Sequence, residues 1–157
     1  MHSLACFSIK SCYKPASFKT IVSCQVHRFS DASEVGYGAV TYLRMQNDQG
    51  EIHCSFVVGK ARVAPVKTVT ISRLKLAAAT VAVRLGAVVK RELGIPVDSV
   101  TFWTDSTTVL RYIHNKTSRF KAYVANRVEN ILDLSSPKQW RYVGTKCNPA
   151  DEASRGI

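Results

Sequence analysis

The chain has 157 residues, the size of one domain, and carries 22 Lys and Arg against 11 Asp and Glu, a net charge of +11. No apolar run reaches the roughly 18 residues a membrane span needs, and Met1 to Lys10 lacks the apolar block of a secretory signal. Five cysteines without a C-x-x-C pair, and no histidine at ligand spacing from any of them, indicate neither a zinc site nor a disulfide framework and suit reduced thiols in an intracellular protein.

The charge points to a polyanionic partner, nucleic acid first, with an anionic membrane surface or plain solubility as the other readings. Residues 1–20 carry Lys10, Lys14 and Lys19, no acid and no clear apolar period. They read as a flank, the tail of a preceding region of a longer polyprotein. The domain itself is expected over 21–157.

Residues 21–31 predict a strand ending in Asp31, and 36–46 a second. Asn47-Asp48-Gln49-Gly50 is a turn signal, and 51–58 predicts a third strand in an antiparallel meander. Residues 59–70 read as a basic loop with Lys60, Arg62 and Lys67. The strongest helix signal covers about 72–93, where Arg73, Thr80, Arg84 and Arg91 form one narrow polar stripe on an otherwise Ala-, Val- and Leu-rich surface. Such a helix is buried on most sides. Gly94 and Pro96 end it.

Residues 99–104 predict a fourth strand, ending at Asp105. Helices follow over 106–114 and 119–133, the second with Phe120, Val124, Val128 and Ile131 inward, and 138–143 predicts a fifth strand. Trp103 and Trp140 fall within strands and read as core. Asn148-Pro149-Ala150-Asp151 looks like a helix start, with Asn148 as cap. The order β-β-β-α-β-α-α-β-α predicts an α/β domain: a mixed five-stranded sheet, three antiparallel strands and then two more, with helices on its faces.

Three aspartates share a setting. Asp31 and Asp105 end strands, and Asp151 lies in the first turn of the last helix. Strand ends are where open α/β sheets place ligands. Carboxylates gathered there repel one another unless a cation lies among them. Mg²⁺ suits that role because it takes oxygen ligands, and two such ions roughly 4 Å apart can activate water and stabilise a leaving oxygen in phosphodiester cleavage. Taken singly, each aspartate also serves as a turn former or a helix cap.

The blocks F-S-D-A-S-E-V-G-Y-G-A-V at 29–40, G-K-A-R-V-A-P at 59–65, T-I-S-R-L-K-L-A-A at 70–78, F-W-T-D-S at 102–106, A-N-R-V at 125–128, W-R-Y-V at 140–143 and N-P-A-D-E-A-S-R-G at 148–156 resemble, in this order, the RNase H-like region of Pol polyproteins from BEL/Pao-type LTR retrotransposons. The resemblance covers about 21–157. It implies an RNase H-like fold, and Asp31, Asp105 and Asp151 as ligands of Mg²⁺, with Mn²⁺ as substitute, for hydrolysis of the RNA strand of an RNA–DNA hybrid. It also implies a larger polyprotein with reverse transcriptase and integrase, acting in cytoplasmic particles or the nucleus.

One position departs from the family. Its second acidic ligand is a glutamate in P-R-L-E-L, and this chain has Ser72-Arg73-Leu74-Lys75-Leu76. At ~100° per residue Lys75 lies about 200° round from Arg73, on the face that should meet the sheet. It also stands in the first helical turn, where the dipole favours negative charge. Two outcomes are open. The ammonium can pair with Asp31 or Asp105 and hold the site together without metal, or one ion can still bind through the three aspartates with weak residual activity. The first is the favoured expectation.

Candidate phosphate contacts are Lys60, Arg62 and Lys67 before the main helix, and Lys116, Arg119, Lys121 and Arg127 around the later ones. A solvated basic face accounts for the same residues. His114 suits a proton shuttle or a plain helix end. The reading as a whole is a retroelement RNase H-like domain, ancestrally a Mg²⁺-dependent nuclease and impaired by Lys75. The alternatives are a non-catalytic nucleic-acid-binding or interaction module, and an inert fragment of a decayed element.

Overall fold

The computed structural model describes residues 20–65, 69–93, 96–115 and 119–154. Strands β1 (Ile21–Ala32), β2 (Gly36–Asn47) and β3 (Ile52–Val63) form an antiparallel meander. Helix α1 (Ile71–Leu93) crosses over to β4 (Ser99–Thr104), which pairs with β1 in parallel. Helices α2 (Thr107–His114) and α3 (Ala122–Leu134) follow, then β5 (Trp140–Tyr142), parallel to β4, and the single turn α4 (Asp151–Ser154). The sheet order is β3-β2-β1-β4-β5, the five-stranded mixed sheet expected from the sequence.

Local chemistry sets the joints. Gly50 takes φ +81° in the β2–β3 turn, where Asn47 Oδ1 accepts from the backbone N–H groups of Gln49 and Glu51. Thr70 and Ser106 cap α1 and α2 through their hydroxyl oxygens, which accept from Arg73 N and Val109 N. The main core lies between one face of the sheet and α1, α2 and α3. Leu76, Ala79, Val83, Phe102, Val109, Ile113, Val128, Ile131 and Trp140 meet there. Trp140 stacks on Phe102 with ring centroids 4.8 Å apart, so its expected core role holds. Trp103, one residue along β4, points to the opposite face.

Three local expectations change. β3 runs on to Val63, so Lys60 and Arg62 lie in a strand rather than a loop; Gly36–Val40 of β2 pair with Gly59–Val63 and carry the ladder through them. Thr80 is buried rather than part of the polar stripe, because its hydroxyl donates to Leu76 O at 3.1 Å. α3 begins at Ala122, so Arg119 and Lys121 precede it.

Arg28 is the main irregularity of the core. It is 4% exposed beneath α1, where Nη2 donates to Gly86 O at 3.1 Å and the guanidinium lies over the Phe102 ring. Burial lowers its pKa to about 10. A Cβ on residue 86 would stand 2.7 Å from Arg28 Cζ, so glycine there makes room for the guanidinium inside a helix.

Candidate functional site

The parallel pairing of β1 with β4 sets Phe29 against Trp103 and Ser30 against Thr104. The next residues, Asp31 and Asp105, therefore leave adjacent strand ends side by side. Ser30 Oγ donates to Trp103 O at 3.4 Å, across the same two strand ends. Asn148 fixes the third acid's segment: its Nδ2 donates to Ser30 O at 3.0 Å, and its Oδ1 accepts from Ala150 N at 3.0 Å. The helix begins at Asp151, later than the sequence suggested, so Asn148 closes the turn that leads into α4 and ties that turn to the end of β1.

Asp31 is 3% exposed and Asp105 8%. Asp31 Oδ1 accepts from Ala32 N at 2.8 Å. Asp105 Oδ2 accepts from Thr145 Oγ1 at 3.1 Å. Sequence reasoning missed Thr145, which stands in a short 3-10 turn (Thr145–Cys147) with no local signal of its partner.

Lys75 reaches the same place from α1. Its Nζ donates to Asp105 Oδ1 at 2.9 Å and lies 3.8 Å from Asp31 Oδ1. These are the contacts that the tethered-ammonium expectation calls for. Burial raises the Asp31 pKa to about 6; the charge of Asp105 adds to it and that of Asp151 adds less, while the Ala32 N–H and the Lys75 ammonium oppose the rise. Two buried carboxylates share one compensating cation here, and that cation is part of the chain.

The fit of a divalent ion follows from these contacts. Among the described residues, no group of three or more His, Cys, Asp or Glu side chains is placed to hold a metal ion. Mg²⁺ needs near-octahedral oxygen ligands. With the ammonium on Asp105 and beside Asp31, the residues as they stand do not fit such an ion.

Basic residues flank the site on two sides. Asp31 pairs with Gly38, and Gly38 with Ala61, so Lys60 and Arg62 lie two strands away at the same end of the sheet. That is about 10 Å at ordinary strand spacing. With Arg84 they line a hollow of about 320 Å³ between β3 and α1. On the other side, Arg73 in the first turn of α1 and Arg127 in α3 both lie over the Tyr123 ring, at 5.2 and 3.8 Å from its centroid. Arg119 and Lys121 are exposed just before α3. The Arg73–Tyr123–Arg127 cluster was not read from the sequence, because its members come from separate helices. His114 ends α2 at an exposed position. Lys67 and Lys116 lie outside the described residues, as does all of the expected flank at 1–20 except Thr20.

The family model described as the Pao retrotransposon-like RNaseH-like domain matches residues 3–106. Among solved structures, RNase H1 from the halophilic archaeon Halobacterium salinarum NRC-1 is similar at 15% identity and a TM-score of 0.53, over 82% of this chain and 92% of that one. The N-terminal RNase H domain of a Mycobacterium tuberculosis protein is similar at 10% identity and a TM-score of 0.52, over 85% and 91%. LC11-RNase H1, solved in complex with RNA/DNA hybrid, is similar at 10% identity and a TM-score of 0.52, over 83% and 93%. At these identities the likeness is one of fold. No curated protein matches the chain.

Proposed function

The chain belongs to the Pao retrotransposon-like RNaseH-like family, and from that premise we propose that it is a retroelement domain that holds an RNA–DNA hybrid at the Asp31–Asp105 end of its sheet without cleaving it. The observation that carries this reading is the Lys75 ammonium, 2.9 Å from Asp105 and 3.8 Å from Asp31. Hydrolysis of the RNA strand by a pair of divalent ions needs carboxylates free to take those ions. Here one fixed positive charge already compensates them.

What remains is binding. The net charge of +11 supports a polyanionic partner. Lys60, Arg62 and Arg84 on one side, and Arg73, Arg127, Arg119 and Lys121 on the other, offer phosphate contacts that straddle the strand ends. Lys67 and Lys116 extend those two groups in sequence. The family's retrotransposon setting supports a place in a larger polyprotein with reverse transcriptase and integrase, working in cytoplasmic particles or the nucleus. Asp31, Asp105 and Asp151 are the ligands that Mg²⁺ or Mn²⁺ would use once Lys75 is replaced by an acid.

The test is binding of a labelled RNA–DNA hybrid in EDTA and in Mg²⁺ across a salt series. Equal affinity with and without Mg²⁺, falling steeply with salt, is expected. Absence of hybrid binding at low salt contradicts the reading.

A further inference from the structure

Helices α1, α2 and α3 pack on one face of the sheet. On the other face, α4 meets β1, β2 and β3 at the Asp31 end, where Ser33 Oγ donates to Ser154 O. A sheet face left to water ordinarily carries polar side chains at its outward positions. Here Phe29, Tyr42, Phe56 and Trp103 stand at outward positions, beside His27 and Arg44. Register sets Phe56 beside Tyr42, Tyr42 beside His27, and Phe29 beside Trp103. The rings meet in a chain across four strands: Phe56 to Tyr42 at 5.6 Å, Tyr42 to Phe29 at 6.0 Å, Phe29 to Trp103 at 6.0 Å and Trp103 to His27 at 6.1 Å. Trp103 Nε1 donates to His27 Nδ1, so the one polar edge of the indole is already satisfied within the layer. Phe56 is 51% exposed. The rings floor a hollow of about 460 Å³ that the thiols of Cys54 and Cys147 also line. Among the described residues, no second layer covers this face beyond the single turn α4.

We propose that residues 3–19 of this chain cover that face and set their apolar side chains into the hollow. Three observations support this occupant. The family match begins at residue 3, so the segment belongs to the stretch the family shares. It joins at Thr20, immediately before β1, the central strand whose outward residues His27 and Phe29 form part of the floor. Going back along β1 from Thr20 to the level of Phe29 takes about 30 Å, and residues 3–19 extended reach about 55 Å. The segment also carries Leu4, Phe7, Ile9, Tyr13 and Phe18 with no acid. The hollow's charged lining residue is Arg44, so the two surfaces match through apolar contact and not through opposite charge.

The chain contains its own reporters. Cys54 and Cys147 are exposed in the hollow, while Cys24 is buried in the core beneath α1. Site-resolved alkylation with a maleimide, read by mass spectrometry, compares the full chain with its Phe7→Asp/Ile9→Asp variant at two protein concentrations. The expected result is that Cys54 and Cys147 react at least tenfold more slowly in the parent than in urea, and about tenfold faster in the variant than in the parent. Cys24 stays protected in both, which shows that the fold persists. Unhindered labelling of Cys54 and Cys147 in the parent overturns the proposal. Protection that grows with protein concentration overturns it in favour of a second copy. Protection unchanged in the variant overturns it in favour of another occupant.

Discussion

Lys75 donates from its ammonium to Asp105 Oδ1 at 2.9 Å, from the second turn of α1 to the end of a strand thirty positions later. The same nitrogen lies 3.8 Å from Asp31 Oδ1. Buried ion pairs contribute little net stability over apolar packing, but removing one partner leaves an uncompensated buried charge. Here that remainder would be two carboxylates at adjacent strand ends.

Lys75→Met is therefore expected to destabilise the domain by about 3 kcal/mol at pH 7.5. The loss should shrink toward pH 5, as the orphaned Asp31 carboxyl takes up its proton. Urea unfolding at the two pH values checks this, and an equal loss at both contradicts it.

Asp31 gives a second pH signature. Burial first, and then the Asp105 charge, raise it from 3.8 to about 6. A carboxyl raised in the folded state binds its proton more tightly there than in the unfolded chain. Its stabilising contribution is complete below about pH 3.8 and is lost as pH rises through about 6. Asp31→Asn removes this titration, so the fall in Tm between pH 5 and pH 7.5 should be smaller than in the parent. Melting curves at the two pH values decide it.

Gly86 faces a buried guanidinium, with a built Cβ 2.7 Å from Arg28 Cζ. Alanine ordinarily gains about 1 kcal/mol over glycine inside a helix. Here overpacking should outweigh that gain, giving a net loss of about 1–2 kcal/mol. Combining Gly86→Ala with Arg28→Met should cost less than the sum of the two single changes, as a double-mutant cycle would show.

Lys60 and Arg62 are the phosphate contacts most easily isolated, because both are exposed on β3. Replacing each by alanine should weaken hybrid binding at all sequences alike. It should also flatten the plot of log affinity against log salt by roughly one unit per contact removed. An unchanged slope identifies them as a solvated face.

Much of this site is legible in the sequence, for physical reasons. Asp31 and Asp105 each follow a period-2 apolar run, so their place at strand ends is fixed by the strands. Lys75 is readable because helical geometry alone turns it away from Arg73 and toward the sheet. The rest depends on partners distant in sequence. The extension of β3 through Gly59–Val63 is set by its ladder with Gly36–Val40, and the residues themselves read as a loop. Thr80 looks polar by position, yet its hydroxyl is satisfied within its own helix. Thr145 and the Arg73–Tyr123–Arg127 cluster become visible only when separate elements meet. The aromatic face of the sheet is not legible either, because alternating Phe, Tyr, His and Trp in strands reads equally as core.

The most direct measurement is cleavage of a labelled RNA–DNA hybrid in Mg²⁺ or Mn²⁺ by this chain and by its Lys75→Glu variant, side by side. Cleavage by the variant alone is the predicted result, since a glutamate there removes the ammonium and adds a fourth carboxylate to Asp31, Asp105 and Asp151. Cleavage by the parent chain at a comparable rate would contradict the account, because the Lys75 ammonium would then not stand in the way of the chemistry.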